Sequence, residues 1–312
     1  MKKQKMKKGQ REEDFLNILY HQTMRERAMK GKYFVFVADV HGRIDKLDAA
    51  LASCHSWLSH AGIKREDTQF VFGGDYIDRY PNHREVIMRV KEYVTTYGDI
   101  ALIGNHDMFL LGTGDMSDTQ FEDGSLAHNY RLWAINGGDK TCFELYGAPP
   151  TKYDDGSDTP LCMENKDIHV DDRMVRCYRD LILKSEEYKF LKEHGKMFYE
   201  SRDIYFCHAP QSDVKNITDS SLIWGRRSDY TKTDEIFKVP GGKTMSVHGH
   251  YHRLNDRINF PRLNYYKHGG VDKTVILADS GCGCSSQGEL HPVIIKEFIN
   301  DPYRNPQIMA IL

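Results

Sequence analysis

Three apolar runs near the N-terminus alternate with two helix-like segments, and this order constrains the fold more than any other feature. The runs cover residues 33–38, 69–72 and 100–103. Between them, apolar residues recur at intervals of three and four, which predicts amphipathic helices beginning near Ile44 and Val86. Strands that alternate with helices at this spacing indicate βαβ units and a parallel sheet.

The second half of the chain is predicted to consist mainly of strands. After a helix predicted over 173–194, the strands are predicted at about 197–200, 203–207, 245–247, 275–278 and 292–298. A first half of βαβ units and a second half of strands suggest that two sheets pack together. We therefore predict an α/β (α+β) fold in which two packed mixed sheets are flanked by helices, an αββα sandwich.

This organisation indicates one large domain over residues 31–300. Residues 1–30 are predicted as a basic N-terminal tail and helix, and residues 301–312 as a C-terminal tail. Residues 108–172 carry 13 acidic but only 4 basic side chains and are predicted as an acidic, partly looped insertion or cap. A selective cover over the strand ends and a solvated surface loop are equal alternatives for this segment.

Charge and cysteine content argue against several classes of protein. The 43 basic and 45 acidic residues give a net charge of −2, which provides no overall attraction to nucleic acid. No apolar run approaches the roughly 18 residues of a membrane span, and no apolar segment follows the basic N-terminus as in a secretory signal. The seven cysteines form no C-x-x-C pair, so we expect free thiols in a cytoplasmic protein.

Polar residues follow five of the predicted strands at the point where each strand ends. They are Asp39, His41, Asp75, Asp78, Asn105, His106, His208 and His250. Each ending taken alone is typical of an ordinary turn, but the ends of parallel strands converge on one crevice. Oxygen and imidazole ligands suit Mn, Fe, Zn or Mg better than a metal that prefers thiolates. The sequence therefore predicts a metal site at these strand ends.

The ordered set of motifs resembles the calcineurin-like metallophosphoesterases, and within them the phosphoprotein phosphatase branch with its bacterial and phage serine/threonine protein phosphatases. The main motifs are ADVHG at 38–42, GDYIDRY at 74–80, GNHD at 104–107, HAP at 208–210 and GHY at 249–251. Two further stretches resemble the bacterial and phage members, namely WAINGGD at 133–139 and LIWGR at 222–226. The resemblance spans roughly residues 33–298.

The resemblance implies two divalent metal ions per chain. Asp39, His41 and Asp75 would hold the first ion, and Asp75 would bridge to the second. The implied ligands of the second ion are Asp75, Asn105, His208 and His250. We expect Mn²⁺, with Fe, Zn or Mg as alternatives.

The resemblance also implies how the site would act on a phosphate ester. Metal-bound hydroxide would attack phosphorus directly and in line, and His106, oriented by Asp78, would be the general acid. Arg79 and Arg226 would hold the phosphate oxygens together with Asn105 and His106. Arg227 is the alternative to Arg226, which we favour because the resembling motif is Trp-x-Arg. The family's Glu is Asp107 here, and we expect no loss of activity because that residue is not an implied ligand.

The predicted function is hydrolysis of phosphomonoesters, with serine/threonine phosphoproteins as the expected substrates. A diadenosine polyphosphate hydrolase is the alternative enzyme, and a degenerate phosphoesterase that serves as a binding scaffold is the alternative outside enzymes. A scaffold would have lost a ligand or the acid, and none is lost here. We expect a phosphorylated protein or peptide as partner, neither nucleic acid nor a membrane, and the oligomeric state stays open.

Overall fold

The computed structural model describes most of the chain. The described residues are 30–117, 125–147, 172–225, 237–251, 260–284, 286–301 and 303–312. Three sets of sequence predictions lie outside these ranges: the N-terminal tail and helix up to residue 29, residues 118–124 and 148–171 of the acidic segment, and the positions of Arg226 and Arg227. Within the described residues, no helix is long and apolar enough to cross a membrane.

The described strands form two mixed sheets, as the sequence predicts. In chain order they are β1 (Gly31–Val37), β2 (Thr68–Phe72), β3 (Ile100–Leu102), β4 (Gly195–Lys196), β5 (Phe198–Glu200), β6 (Ile204–Cys207), β7 (Met245–His248), β8 (Arg262–His268), β9 (Val271–Leu277), β10 (Val293–Phe298) and β11 (Gln307–Ile311). The first sheet has the order β11-β10-β1-β2-β3-β4 and the second the order β5-β6-β7-β9-β8. Strands β1 to β4 pair in parallel, and β10 and β11 pair antiparallel at the β1 edge.

Helices flank the two sheets. In chain order they are α1 (Ile44–His60), α2 (His83–Tyr97), α3 (Asn105–Asp115), α4 (Ser125–Ile135), α5 (Gly138–Tyr146), α6 (Asp172–Lys184), α7 (Glu186–His194) and α8 (Asp219–Trp224). Helices α1 to α7 share one apolar core with the outer face of the first sheet. Helix α8 packs through Leu222 against Tyr205 and Cys207 on the outer face of the second sheet.

The alternation of side chains along β1 explains why both of its faces are buried. Phe34 and Phe36 point between the sheets, where they join Phe206 and Val247 of the second sheet. Val35 and its alternate neighbours point to the helices instead. A strand covered on both faces requires an uninterrupted apolar run, which is the pattern seen at 33–38.

The predicted helix over 173–194 is wrong as a single element. The structure has two helices, α6 and α7, that meet at Ser185. The Ser185 side chain accepts a hydrogen bond from the backbone N–H of Tyr188 at 3.2 Å and so caps the second helix. Leu181, predicted to belong to the apolar stripe, is 41% exposed, because the buried face of α6 is formed by Val175, Tyr178 and Ile182.

The predicted C-terminal tail at 301–312 contains a strand. Residues of β11 pair antiparallel with β10, with Gln307 opposite Lys296 and Ile311 opposite Val293. The apolar run at the end of the chain therefore extends the first sheet and covers its edge strand.

The described part of the acidic segment 108–172 is more helical than a loop-rich reading predicts. It contains most of α3, all of α4 and all of α5. Tyr130, Trp133 and Leu145 are buried in the core that these helices share with the first sheet. These few buried apolar side chains stabilise helices that the polar composition of the segment does not predict.

Candidate active site

The strands of both sheets place the predicted polar residues in one crevice. Asp39 follows β1, Asp75 follows β2 and Asn105 follows β3, so three parallel strands of the first sheet end at the same edge. His208 follows β6 and His250 follows β7, which are parallel neighbours in the second sheet. The site therefore lies where the two sheets meet, at the carboxyl ends of their strands.

The backbone at the site adopts conformations that side chains other than glycine rarely adopt. The φ angles of Asp39, His41, Asp75 and His250 are 58°, 48°, 57° and 61°. Such left-handed residues concentrate at functional sites, where surrounding structure compensates their strain. Gly104 permits a close approach of the backbone, since a Cβ there would lie 2.1 Å from Oδ1 of Asp75. The sharp turns thus aim side chains into the crevice.

Asp75 is at the centre of the site, as predicted for a bridging ligand. His41 Nε2 lies 3.5 Å from its Oδ2, and His208 Nε2 lies 3.5 Å from its Oδ1. Its ligand atom lies within 4.8 Å of those of His41 and His106 in one group, and of those of His208 and His250 in another. Burial raises the pKa of Asp75, but the neighbouring imidazoles lower it by a larger amount. The net pKa is therefore below its ordinary value.

Hydrogen bonds to the backbone orient two of the histidines for a metal. Nδ1 of His41 donates to the carbonyl of Ile77 at 2.9 Å, and Nδ1 of His208 donates to the carbonyl of Gly73 at 2.7 Å. A carbonyl can only accept, so the proton of each neutral ring lies on Nδ1. The lone pair on Nε2 then faces Asp75, as in metal sites whose ligands are fixed by outer hydrogen bonds.

The surroundings of Asn105 fit a cation. Its Oδ1 lies 3.1 Å from Nε2 of His208 and 3.0 Å from Nδ1 of His250. Because Nε2 of a neutral His208 carries a lone pair, this contact brings two acceptors together. A cation bound by these two lone pairs would remove the repulsion between them. Oxygen and nitrogen ligands of this kind suit Mn, Fe, Zn or Mg.

Asp39 is held against the site from the second sheet. Its carboxylate accepts the backbone N–H of His250, at 2.9 Å to Oδ1 and 3.1 Å to Oδ2. Neither three-residue group includes Asp39, and the first group includes His106 in that place. Burial raises the pKa of Asp39, and the carboxylates of Asp279 and Asp75 raise it further. A buried cluster of acids of this kind would be stabilised by a cation, and the role of Asp39 as a ligand stays a prediction.

His106 and Asp78 form the expected hydrogen-bonded pair. His106 Nδ1 lies 2.6 Å from Oδ2 of Asp78, which is fully buried. Burial lowers the pKa of His106, but the charge of Asp75 and the bond to Asp78 outweigh it, so the net pKa is raised. Arg79 Nη2 lies 3.4 Å from Nε2 of His106, and its Nη1 donates to Sγ of Cys284 at 3.0 Å. The Nε2 edge of His106 therefore faces the predicted phosphate-binding arginine.

The role of Asp107 is the main feature that the sequence reasoning missed. This fully buried carboxylate accepts backbone N–H groups of Gly104 at 2.9 Å, Asp75 at 2.7 Å and Tyr76 at 3.0 Å. It thereby connects the turn after β2 to the start of α3. Burial and the charge of Asp75 raise its pKa to about 7, against the effect of the three N–H groups. An acid at the third position of a helix is a known start signal that would have identified the bond to Gly104, but not those to Asp75 and Tyr76.

Comparisons with known proteins place this chain in a family. The family model for the calcineurin-like phosphoesterases matches residues 32–254. No curated protein sequence matches the chain.

Three solved structures illustrate the likeness. A putative diadenosine tetraphosphatase is 15% identical, with 89% of this chain and 93% of that chain covered and a TM-score of 0.38. A protein serine/threonine phosphatase from Saccharomyces cerevisiae is 11% identical, with 90% and 80% covered and a TM-score of 0.44. A cold-active protein-tyrosine phosphatase from a Shewanella species is 13% identical, with 90% and 81% covered and a TM-score of 0.39.

Proposed function

This chain belongs to the calcineurin-like phosphoesterase family, and from that premise we propose that it hydrolyses phosphomonoesters of serine and threonine in proteins. The proposal includes two divalent metal ions per chain, with Mn²⁺ as the preferred metal. The observation that carries it is the arrangement around Asp75. Imidazoles of both sheets face its two oxygens, and the His106–Asp78 pair lies beside it.

Each residue has a role that follows from its position. Asp75 would contact both ions, since it faces His41 through one oxygen and His208 through the other. When bound, two such ions would acidify a water molecule and stabilise the charge that develops on the phosphate oxygens. Arg79 would bind phosphate oxygens through its planar guanidinium group. His106 would deliver a proton from Nε2 to the leaving oxygen, because Asp78 holds its Nδ1.

The His106–Asp78 pair supports serine and threonine esters as substrates. Their alkoxide leaving groups depart poorly without a proton, so a positioned acid is worth about a hundred- to ten-thousandfold in rate. The acidic composition of residues 108–172 supports a phosphorylation site flanked by Lys or Arg over an anionic nucleotide, since like charges repel and opposite charges attract during encounter.

A phosphatase assay on metal-stripped protein tests the proposal. Mn, Fe, Zn and Mg are added back separately, and the substrates are a phosphoserine peptide, a phosphotyrosine peptide and diadenosine tetraphosphate. We expect metal-dependent release of phosphate, fastest from the phosphoserine peptide with Mn²⁺. Cleavage of diadenosine tetraphosphate without cleavage of the peptides would instead identify a dinucleotide hydrolase. Two bound ions without cleavage of any substrate would indicate a scaffold.

A further inference from the structure

The carboxylate of Asp78 receives more hydrogen bonds than its bond to His106. Trp133 Nε1 on α4 lies 3.1 Å from Oδ1 and 3.0 Å from Oδ2 of Asp78. Thr141 Oγ1 on α5 donates to Oδ1. Trp133 and Thr141 are fully buried, so water does not replace these donors. Three side chains from separate elements therefore converge on one buried carboxylate.

The turn between α4 and α5 packs directly on the backbone of Asp78 and Arg79. Gly137, with φ of +108°, would place a Cβ 3.0 Å from the backbone nitrogen of Arg79 and 3.4 Å from Cβ of Asp78. A Cβ on Gly138 would lie 2.3 Å from the ring of Trp133. The two glycines of the WAINGGD stretch thus allow the hydrogen-bonding side chains to reach Asp78.

The hydroxyl of Thr141 is itself oriented by a neighbour. His83 Nε2 lies 3.3 Å from Oγ1 of Thr141. Because the single hydroxyl hydrogen is committed to Asp78, His83 must donate to Thr141 through Nε2. His83 is in turn fixed where α2 begins, since Glu144 accepts its backbone N–H at 2.7 Å. The donor to Asp78 is thereby held in one orientation.

We propose that Trp133 and Thr141 are positioning residues for the general acid, which they orient through Asp78. This inference rests on the proposed function, because it takes His106 as the acid. Thr141 bonds Oδ1 and Trp133 spans both oxygens, so the carboxylate has one rotational setting, in which Oδ2 accepts Nδ1–H of His106. The ring of His106 then keeps Nε2 directed at the crevice. Without these donors, the carboxylate rotates and the acid loses its alignment with the leaving oxygen.

Kinetics on two esters test this inference. Thr141→Val removes the hydroxyl and keeps the shape of the side chain, and Trp133→Phe removes the N–H and keeps an aromatic ring. On a phosphoserine peptide, we expect kcat of each variant to fall about tenfold, a fraction of the full value of a general acid. On p-nitrophenyl phosphate, whose leaving group needs no proton, we expect little change. KM should not change for either ester, and Thr141→Ser should restore kcat.

Thr113 provides a matched control. It is fully buried on α3, and its hydroxyl donates to the carbonyl of Phe109 at 2.8 Å, one turn earlier in the same helix. Thr113→Val therefore removes a buried hydroxyl of the same size away from Asp78, and we expect both esters to react as with the unmodified protein. Equal losses on both esters for Thr141→Val and Trp133→Phe would overturn the positioning role.

An independent readout is the tautomer of the neutral His106 ring, measured by ¹⁵N NMR at a pH high enough that the ring carries a single proton, and assigned with His106→Asn. We expect Nδ1 to carry the proton in the unmodified protein and a mixture of tautomers in Thr141→Val. An unchanged tautomer in both Thr141→Val and Trp133→Phe would overturn the inference, whatever the kinetics. If the unmodified protein cleaves neither ester, the proposed function fails and the tautomer alone decides this inference. Should Thr141→Val not fold, Trp133→Phe decides both readouts.

Discussion

Asp107→Asn should weaken both metal binding and stability, although the side chain is not an expected ligand. The carboxylate accepts three backbone N–H groups with its two oxygens: Oδ2 bonds those of Gly104 and Asp75, and Oδ1 bonds that of Tyr76. An amide of the same shape offers one oxygen, and its NH₂ group faces at least one remaining donor. Leaving one buried N–H unpaired costs about 1–3 kcal/mol, a large part of the roughly 5–15 kcal/mol that stabilises a typical protein.

The effect on the metal follows from the bond between Asp107 and the backbone of Asp75. That bond is 2.7 Å long and holds Asp75 in its left-handed conformation, from which its carboxylate reaches both groups of histidines. Loss of such an outer partner commonly weakens metal binding about 10- to 100-fold. We therefore expect the dissociation constant for Mn²⁺, measured by titration calorimetry, to rise by that factor, and urea unfolding to show the loss of stability.

Asp99→Asn is the matched control for this experiment. Asp99 is a buried carboxylate that accepts the backbone N–H of Phe70 at 2.9 Å and pairs with Arg65, at the end of the sheet opposite to the site. Its replacement should lower stability and leave the affinity for Mn²⁺ unchanged. If Asp107→Asn behaves like Asp99→Asn and still binds Mn²⁺ with the affinity of the unmodified protein, our account of Asp107 is wrong.

Three further substitutions test separate features: metal bridging, phosphate binding and a buried histidine. Asp75→Asn should abolish turnover and weaken metal binding, because it removes charge shared by two ions; two ions found by elemental analysis together with near-normal activity would contradict its bridging role. Arg226→Lys should lower both the affinity for phosphate and the rate, since lysine lacks the two-pronged geometry; greater damage from Arg227→Lys would show that the other arginine binds phosphate. Burial lowers the pKa of His248 from 6.5 to about 3. Between these two pH values only the unfolded chain binds this proton, so the free energy of unfolding decreases as the pH is lowered. In the metal-free protein, His248→Gln should therefore remove a contribution of about 1.4 kcal/mol per pH unit to the pH dependence of the free energy of unfolding. If urea unfolding shows the same pH dependence for this variant as for the unmodified protein, the prediction is wrong.

The sequence predicts the location of the site well because local rules determine it. Strands β1 and β2 are buried on both faces, so their apolar runs are uninterrupted and their ends can be read directly. The polar residues after those ends can only lie at one edge of a parallel sheet. The convergence around Asp75 thus follows from pattern and topology together.

The features that could not be predicted depend on partners distant in the chain. Trp133 and Thr141 bond a carboxylate 55 and 63 residues earlier, and no local pattern specifies that distance. The strand β11 is stabilised by pairing with β10, which a short apolar run near a terminus does not reveal. At Ser185 the helical periodicity continues while the cap ends one helix and begins the next.

Placement of the site between the two sheets has a consequence for how the protein is made. Asp39 and His250 contact each other although they are 211 residues apart in the chain. During synthesis, a nascent chain carries Asp39, His41, Asp75 and Asn105 long before the strand that leads to His250 has emerged. Full metal affinity must therefore arise late, when the second sheet docks and closes a loop of this length. Ions bound by ligands from both sheets would then stabilise the folded chain and slow the separation of the two sheets.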